Sequence, residues 1–315
     1  MHQRRSPCPP PGSQSDNILA QSIKYGLQAT TVGKGRSLPT AVRSKQSLRH
    51  RDQYPFYRDL DQAPLGSLSF RSIASGSSGN CSIVTDGEFM AVFDFGISVR
   101  KFRSFLDEAG LEPEYISLFI SHEHSDHAGN VMPFSRKISG DIYARPLTLE
   151  AIGVKGYPVN ETVVFGNFSI SAVSVSHDAI DPVAFVIESS GRKISIVSDL
   201  GQASPALTER IRNSDILAIE ANHDIGMLQN GSYPDQLKRR IRGEKGHLSN
   251  NQCGELSSAA AGDSTRLVLL HLSRENNTPQ IARKTVGLYM KMEGKDSNQI
   301  ICATQENGTD FISIP

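Results

Sequence analysis

Histidine is concentrated in one part of this 315-residue chain. Seven of the nine histidines lie between residues 122 and 271, and three of them belong to the run 122–127, which reads HEHSDH. Neutral imidazoles and carboxylates are common ligands of divalent transition metals. The pattern HxHxDH supplies three imidazoles and a carboxylate from one short loop, more than a single tetrahedral ion takes locally. It therefore predicts two adjacent metal ions, and hydrolysis is the chemistry that such a pair supports.

The elements that position this run begin at Leu68, where short apolar runs start to alternate with helical patterns. One helix begins at Ser98 and ends at Gly110, a second begins at the capping box Ser249–Gln252, and a third runs from Thr278 to Gly294. The patterns predict strands at about 69–74, 81–85, 89–94, 115–121, 141–145, 168–176, 183–188, 192–198, 215–220, 266–272 and 298–303. This mixture predicts an α/β domain over residues 67–315, with helices covering sheets.

Most of the remaining polar candidates come at the end of a predicted strand. They are His177, Asp199, Asn222, His223 and His271. Strands that lie side by side would gather these residues at one rim, which is where α/β proteins commonly place their chemistry. We therefore expect them to meet the run 122–127.

The segment SHEHSDHAGN at 121–130 resembles the signature of the metallo-beta-lactamase fold, a four-layer αββα sandwich of two sheets between helices. Further segments resemble, in order, the YycJ/WalJ type of bacterial hydrolase. They are SIASGSSGNCSIV at 72–84, FDFG at 93–96, SDLG at 198–201, EANHD at 220–224, GEKGHLSN at 243–250 and HLSRENN at 271–277.

The resemblance implies a complete ligand set for two metal ions. By motif position, the first ion would be held by His122, His124 and His177, the second by Asp126, His127 and His271, and Asp199 would bridge the two. Imidazole and carboxylate donors suit zinc or manganese, with iron as a third option.

The resemblance also implies the reaction, that of a phosphodiesterase and specifically a 5′ to 3′ exonuclease acting on DNA, with links to DNA repair. A hydroxide held between two metals attacks phosphodiesters at neutral pH. Asp126 would orient this nucleophile, and His247 would contact phosphate or protonate the leaving group. Asn222 and His223 would help to position that group. A structural role for His247 and His223 stays open.

Candidate substrate-binding residues flank these motifs. Arg240 and Lys245 belong to a basic segment that could bind phosphate, although LKRRIR at 237–242 is also the pattern of a solvated helix face. Ser78 and Asn80 belong to a loop that could face phosphate or form a plain turn.

Two other classes of function stay open. The same ligands would suit a small-molecule hydrolase that opens a cyclic phosphodiester, thioester or lactone, or a non-catalytic metal-binding partner in a regulatory complex. Antibiotic hydrolysis is disfavoured, because Cys81, Cys253 and Cys302 all miss the strand end where beta-lactamases of this fold often carry a cysteine ligand.

Composition bounds the location of the protein. The four cysteines are far apart and form no CxxC pair, so neither a disulfide framework nor a thiolate zinc knuckle is indicated. No apolar stretch is long enough to span a membrane, and no secretion signal is recognisable. A cytoplasmic protein is the prediction; the oligomeric state is not predicted.

Residues 1–66 differ from the rest of the chain. They carry 10 Lys and Arg against 4 Asp and Glu, and they contain seven of the sixteen prolines. Low apolar periodicity predicts a disordered extension. It could be a basic arm for nucleic acid, an organellar targeting segment, the product of an upstream start codon, or a tail without function.

Overall fold

The computed structural model describes residues 67–295 and 299–314. The predicted basic extension, residues 1–66, lies outside this part of the chain, as does residue 298 at the start of the last predicted strand. In chain order the strands are β1 (Leu68–Ala74), β2 (Cys81–Thr85), β3 (Phe89–Phe93), β4 (Tyr115–Ile120), β5 (Asp141–Ala144), β6 (Tyr157–Pro158), β7 (Thr162–Phe165), β8 (Phe168–Ser174), β9 (Val183–Ser189), β10 (Arg192–Val197), β11 (Ile216–Glu220), β12 (Arg266–Leu270), β13 (Ile300–Cys302) and β14 (Ile312–Ile314).

Helices lie between many of these strands. They are α1 (Val99–Glu108), α2 (Ser125–Ala128), α3 (Val131–Lys137), α4 (Pro146–Ile152), α5 (Pro205–Ile211), α6 (Ile225–Asn230), α7 (Asp235–Arg242), α8 (Asn250–Ala260) and α9 (Pro279–Met292). The capping box predicted at Ser249 is present in both directions at the start of α8. Ser98 and Thr278 cap α1 and α9 with their hydroxyl groups.

The strands form two seven-stranded sheets. The first has the order β14-β1-β2-β3-β4-β5-β6, and the second has the order β13-β12-β11-β10-β9-β8-β7. Each sheet contains a group of parallel strands: β3 to β6 in the first, and β10 to β13 in the second. Most of the candidate site residues follow strands of these two groups. Antiparallel strands complete both sheets.

Strand β11 shows why the domain has four layers. Its sequence ILAIE is buried on both faces. Ile216 and Ala218 point into the core between the two sheets, whereas Leu217 and Ile219 pack with residues of α5, α8 and α9. On the outside of the first sheet, α1 and α3 cover a third apolar cluster. A strand apolar on both faces needs a layer on each side, and the predicted αββα sandwich is confirmed.

The sequence patterns do not predict three of the strands in the described residues, namely β6, β7 and β14. All three are edge strands in their sheets, and β6 is only two residues long and contains Pro158. Strand β14 pairs with β1 from the far end of the chain. Short edge strands are half solvated and carry little periodicity. None of the helices in the described residues is long and apolar enough to cross a membrane.

The core between the sheets gives a direct test of this architecture. The ring of Phe185 on β9 lies 5.2 Å from that of Phe93 and 6.1 Å from that of Phe119, both on the opposite sheet. Phe185→Ala should lower the free energy of unfolding by about 3–5 kcal/mol, because a fully buried phenylalanine leaves a cavity. Chemical denaturation measures the loss. The control Val164→Ala, at a side chain that is 75% exposed, should change stability by less than about 0.5 kcal/mol; equal effects would contradict the sandwich.

Candidate metal centre

The predicted ligands follow the carboxyl ends of strands in both sheets. The run 122–127 follows β4 and continues into α2, while His177 follows β8, Asp199 follows β10 and His271 follows β12. Strands β10, β11 and β12 are parallel neighbours, so their ends share one edge of the second sheet. Ring centroids of His127 and His271 are 5.9 Å apart, although the two residues come from different sheets. The loops therefore converge at one rim of the sandwich.

Three residues at this rim have a left-handed backbone. Asp94 and His271 come directly after a strand and Asp199 comes two residues after one, with φ of 60°, 55° and 53° respectively. Non-glycine residues rarely adopt this region, and each such residue costs on the order of 1–3 kcal/mol. Their surroundings hold the conformation: the His271 amide donates to Ser75 Oγ at 2.8 Å, and the Asp94 amide donates to the Phe119 carbonyl at 2.9 Å.

His122, His124 and His177 form one grouping of potential ligands. A nitrogen of each lies within 4.8 Å of the other two. His177 Nε2 is 3.3 Å from His124 Nδ1, and the rings of His122 and His124 are 4.7 Å apart. Three protein ligands with a remaining open position are typical of catalytic zinc sites.

Asp126, His127 and His271 form a second grouping by the same distance criterion. His127 Nε2 and His271 Nε2 each lie 3.5 Å from Asp126 Oδ2. The separation of these atoms is what a shared ion would need, since metal–ligand bonds of about 2 Å place neighbouring ligands about 3–3.5 Å apart.

Asp199 lies between the two groupings. Its Oδ2 is 2.8 Å from His127 Nε2, and it shares a third possible ligand grouping with His122 and His127. Its Oδ1 is 3.3 Å from His271 Nδ1. The carboxylate thus contacts His127 and His271 of the second set and lies within 4.8 Å of His122 of the first, which is the position that a bridging ligand would take.

In each buried histidine among the candidate ligands, one ring nitrogen is anchored by the protein. His127 Nδ1 is 2.8 Å from Asp94 Oδ2, and His177 Nδ1 is 3.1 Å from the Gly246 carbonyl. His122 Nδ1 is 2.9 Å from the hydroxyl of Ser121. Histidines that bind metals almost always use one nitrogen in this way, which orients the ring and leaves the second nitrogen for the ion.

Two of the second nitrogens lack a hydrogen-bond partner in the described residues. Within the described residues, His122 Nε2 and His271 Nε2 are buried and accept or donate no hydrogen bond. Leaving a buried polar atom unpaired costs about 1–3 kcal/mol. An ion at either grouping would remove this cost, so the residues fit the pair of divalent metals that the sequence predicts.

Charge in the centre supports the same interpretation. Burial alone would raise the pKa of Asp199, but the imidazoles of His271 and His127 outweigh burial and hold it well below its usual value. Burial would lower the pKa of His127, yet Asp199 and Asp94 raise it well above the ordinary range. Burial and neighbouring His127 lower the pKa of His122, which keeps that ring neutral. Buried carboxylates here require a positive partner, either protonated imidazole or metal.

Glu220 is a member of the centre that the sequence analysis does not identify. It is fully buried at the end of β11, and its Oε1 accepts hydrogen bonds from His247 Nδ1 at 2.7 Å and His271 Nδ1 at 2.9 Å. Its Oε2 accepts from the backbone amides of Leu200 and Leu248 at 3.2 and 3.1 Å. Although burial opposes ionisation, His247 lowers the pKa of Glu220 to about 2. The available signal is a charged residue ending the buried strand ILAIE, a place where unpaired Glu is almost never found.

His247 joins the centre through this carboxylate. Its Nδ1 is 2.7 Å from Glu220 Oε1 and 3.2 Å from Asp199 Oδ1, and its ring centroid is 5.3 Å from that of His177. Burial would lower the pKa of His247, but Glu220 and Asp199 raise it to about 10. The imidazole is therefore positively charged at neutral pH, as a proton donor needs to be.

Asn222 and His223, predicted to position the leaving group, lie beside the centre. The Asn222 side chain donates to the backbone carbonyl of His271 at 3.0 Å, so it supports a ligand through the main chain. His223 belongs to none of the possible ligand groupings in the described residues. Its Nδ1 is buried without a hydrogen-bond partner there, and burial lowers the pKa of His223 to about 4.

The four predicted substrate-binding residues have different surroundings. Asn80 lies in the centre, with its amide nitrogen 2.9 Å from His127 Nε2 and 3.3 Å from Asp126 Oδ2. Exposed Ser78 donates to the Gln305 side chain. Arg240 is held by the Asp178 carboxylate. Lys245 is exposed and borders a cavity next to the centre.

Comparison with known proteins places the chain in a family. The Beta-lactamase superfamily domain matches residues 92–272. Exodeoxyribonuclease WalJ from Streptococcus pneumoniae serotype 2 (strain D39) is 34% identical over 258 residues, which cover 78% of this chain and 92% of that protein. Exodeoxyribonuclease YycJ from Bacillus anthracis is 30% identical over 239 residues, which cover 72% of this chain and 90% of that protein.

Solved structures share the fold. The metallo-beta-lactamase fold protein YhfI from Bacillus subtilis superposes with a TM-score of 0.60 at 16% identity, covering 79% of this chain and 100% of that one. Zinc-bound PqqB from Methylobacterium extorquens gives 0.57 at 14% identity, covering 78% and 100%. With the family match and the two relatives, these findings lead to one conclusion: the chain belongs to the beta-lactamase superfamily, as a metal-dependent hydrolase of the WalJ/YycJ type.

Proposed function

We propose that this protein is a 5′ to 3′ exodeoxyribonuclease that uses two divalent metal ions, zinc or manganese, and acts in the cytoplasm. The observation that carries the proposal is the pair of three-residue ligand groupings with Asp199 between them. Both curated relatives described above are named exodeoxyribonucleases. Their similarity extends over most of the chain.

The proposed division of ligands follows the two groupings. One ion would be held by His122, His124 and His177, and the other by Asp126, His127 and His271, with Asp199 as the shared ligand. A bound pair of such ions lowers the pKa of water towards about 7 and neutralises charge on the nonbridging oxygens of a phosphodiester.

The chain's own groups would complete the reaction. Since His247 Nδ1 donates to Glu220, its Nε2 is the nitrogen that can give a proton to the leaving oxygen of the nucleotide. Glu220 holds the ring and keeps it charged. Asp126 is partly exposed, unlike Asp199, and its carboxylate could orient the attacking water. Asn222 and Asn80 would act as positioning residues, because they contact ligands.

Metal removal is the first test. Chelation should abolish DNA cleavage and lower the melting temperature, because a metal at about 100 times its Kd contributes about 2.7 kcal/mol to stability. Adding zinc or manganese should restore both, as activity assays and thermal unfolding would measure. Calcium serves as the control, since it prefers all-oxygen sites. A fully demetallated protein, verified by elemental analysis, that keeps its activity and stability would contradict the metal centre.

The second test concerns the substrate. The protein should release labelled mononucleotide from 5′-labelled DNA, and Asp126→Asn should reduce that rate by at least about 100-fold, because it removes a ligand and an orienting group. Asp263→Asn changes an exposed carboxylate outside the centre and should act like the parent. Hydrolysis of bis(p-nitrophenyl) phosphate without cleavage of any polymer would instead identify a small-molecule hydrolase.

A third test isolates the proton donor. His247→Ala should slow DNA cleavage by about 100- to 10,000-fold but slow hydrolysis of bis(p-nitrophenyl) phosphate much less, because nitrophenolate leaves without a proton. Glu220→Gln should show the same selectivity to a smaller degree. Steady-state kinetics on both substrates give the ratio. Equal losses on the two substrates would mean that His247 only maintains the structure of the centre.

A further inference from the structure

A cavity of about 460 Å³ opens beside His177, one of the candidate ligands. This volume lies in the range of about 300–1,000 Å³ that is usual for small-molecule sites. Val175, Pro182 and Leu207 provide apolar wall, while hydroxyl groups such as that of Ser176 provide polar wall. The lining contains no carboxylate. The cavity therefore suits a ligand that is part apolar and part anionic.

The loop 178–182 contributes Ala179, Ile180 and Pro182 to the lining of the cavity, and it is held from several sides. The Asp178 carboxylate accepts two hydrogen bonds from the Arg240 guanidinium at 2.6 and 3.1 Å. The amide of Ile180 donates to Glu123 Oε1 at 2.9 Å, which ties the loop to the run 122–127. The loop thus presents a fixed surface to the cavity.

Ile180 lies at the exposed side of this loop. Its side chain is 57% exposed although its backbone is anchored beside the metal centre. Ile180 belongs to the lining of the cavity, so a ligand in the cavity can pack against its apolar side chain. A nucleobase offers a flat, sequence-independent face for such a contact.

Lys245 provides the charge. Its carbonyl accepts from the Asp178 amide at 3.0 Å, which fixes its backbone next to the loop. Its side chain is exposed, and no hydrogen bond or ion pair to its ammonium group occurs within the described residues. The neighbouring Asp178 carboxylate forms an ion pair with Arg240. Its negative charge is therefore balanced and does not oppose an incoming phosphate.

We propose that this cavity binds the terminal nucleotide of the strand being cut, with its base against Ile180 and the apolar wall and its 5′-phosphate on Lys245. The inference rests on the proposed function and specifies its substrate. The sugar of that nucleotide would then place its 3′ side towards the metal centre, where the bond to the next nucleotide is broken.

Binding of small probes tests the cavity without any turnover. Deoxyadenosine 5′-monophosphate, deoxyadenosine and inorganic phosphate would be titrated calorimetrically into the metal-loaded protein. The monophosphate should bind at least about tenfold more tightly than phosphate. Ile180→Ser should weaken the monophosphate and deoxyadenosine roughly tenfold but leave phosphate unchanged, whereas Lys245→Ala should weaken the monophosphate roughly tenfold but leave deoxyadenosine unchanged.

Matched controls come from α9. Leu288 is 54% exposed, close to the value for Ile180, and Lys284 is an exposed lysine outside the cavity. Leu288→Ser and Lys284→Ala should bind all three probes like the parent. Monophosphate binding no tighter than that of phosphate, or unchanged in the Ile180 or Lys245 variant, would overturn the proposal.

Cleavage assays add a second readout. The parent should prefer oligonucleotides with a 5′-phosphate over those with a 5′-hydroxyl, and Lys245→Ala should lose that preference, measured as a ratio of kcat/KM. A parent that binds the monophosphate in this pattern but cleaves no DNA would refute the nuclease and leave the nucleotide site standing. A parent that cleaves DNA without preference for the end phosphate would refute the role of Lys245.

Discussion

Buried negative charge is the constraint on which this structure depends. Asp199 and Glu220 are both almost completely buried. Asp94 is also buried and contacts His127, which in turn contacts Asp199. Removing carboxylates from water is costly unless positive partners and hydrogen bonds compensate. His127, His247 and His271, whose pKa values are raised, provide that compensation when protonated, and metal ions would provide it with the ligand rings neutral. The requirement explains why imidazoles surround these carboxylates so closely.

The sandwich stabilises this cluster because its packed strands hold the clustered residues in position. Parallel strands bring Asp199, Glu220 and His271 to one edge of the second sheet, and β4 brings the run 122–127 from the first. Left-handed backbone at Asp199 and His271 is unfavourable locally. It persists because the strand segments below, residues 194–197 and 267–270, are buried and closely packed. The packing of the sheets therefore fixes the positions of the candidate ligands at their rim.

The proposed roles assign separate tasks to the two sides of the centre. Glu220 and His247 lie on the side of the second sheet, where a proton can be delivered to a leaving group. The loop 178–182 and Lys245 border the cavity beside His177, where a substrate can be held. His177 links the two, because its ring is 5.3 Å from that of His247 and also lines the cavity. His177 therefore borders both the proposed catalytic groups and the proposed substrate cavity.

The sequence by itself determined the fold and the candidate ligand residues, because HxHxDH is a local pattern and strands buried on both faces leave continuous apolar runs. Edge strands such as β6 are too short and too exposed to produce such an apolar run. Only the tertiary structure decided that Glu220 faces two histidines, and that Arg240 is paired with Asp178 while Lys245 borders the cavity. These outcomes depend on contacts between residues far apart in the chain, and one-dimensional periodicity does not encode which distant partner a side chain meets.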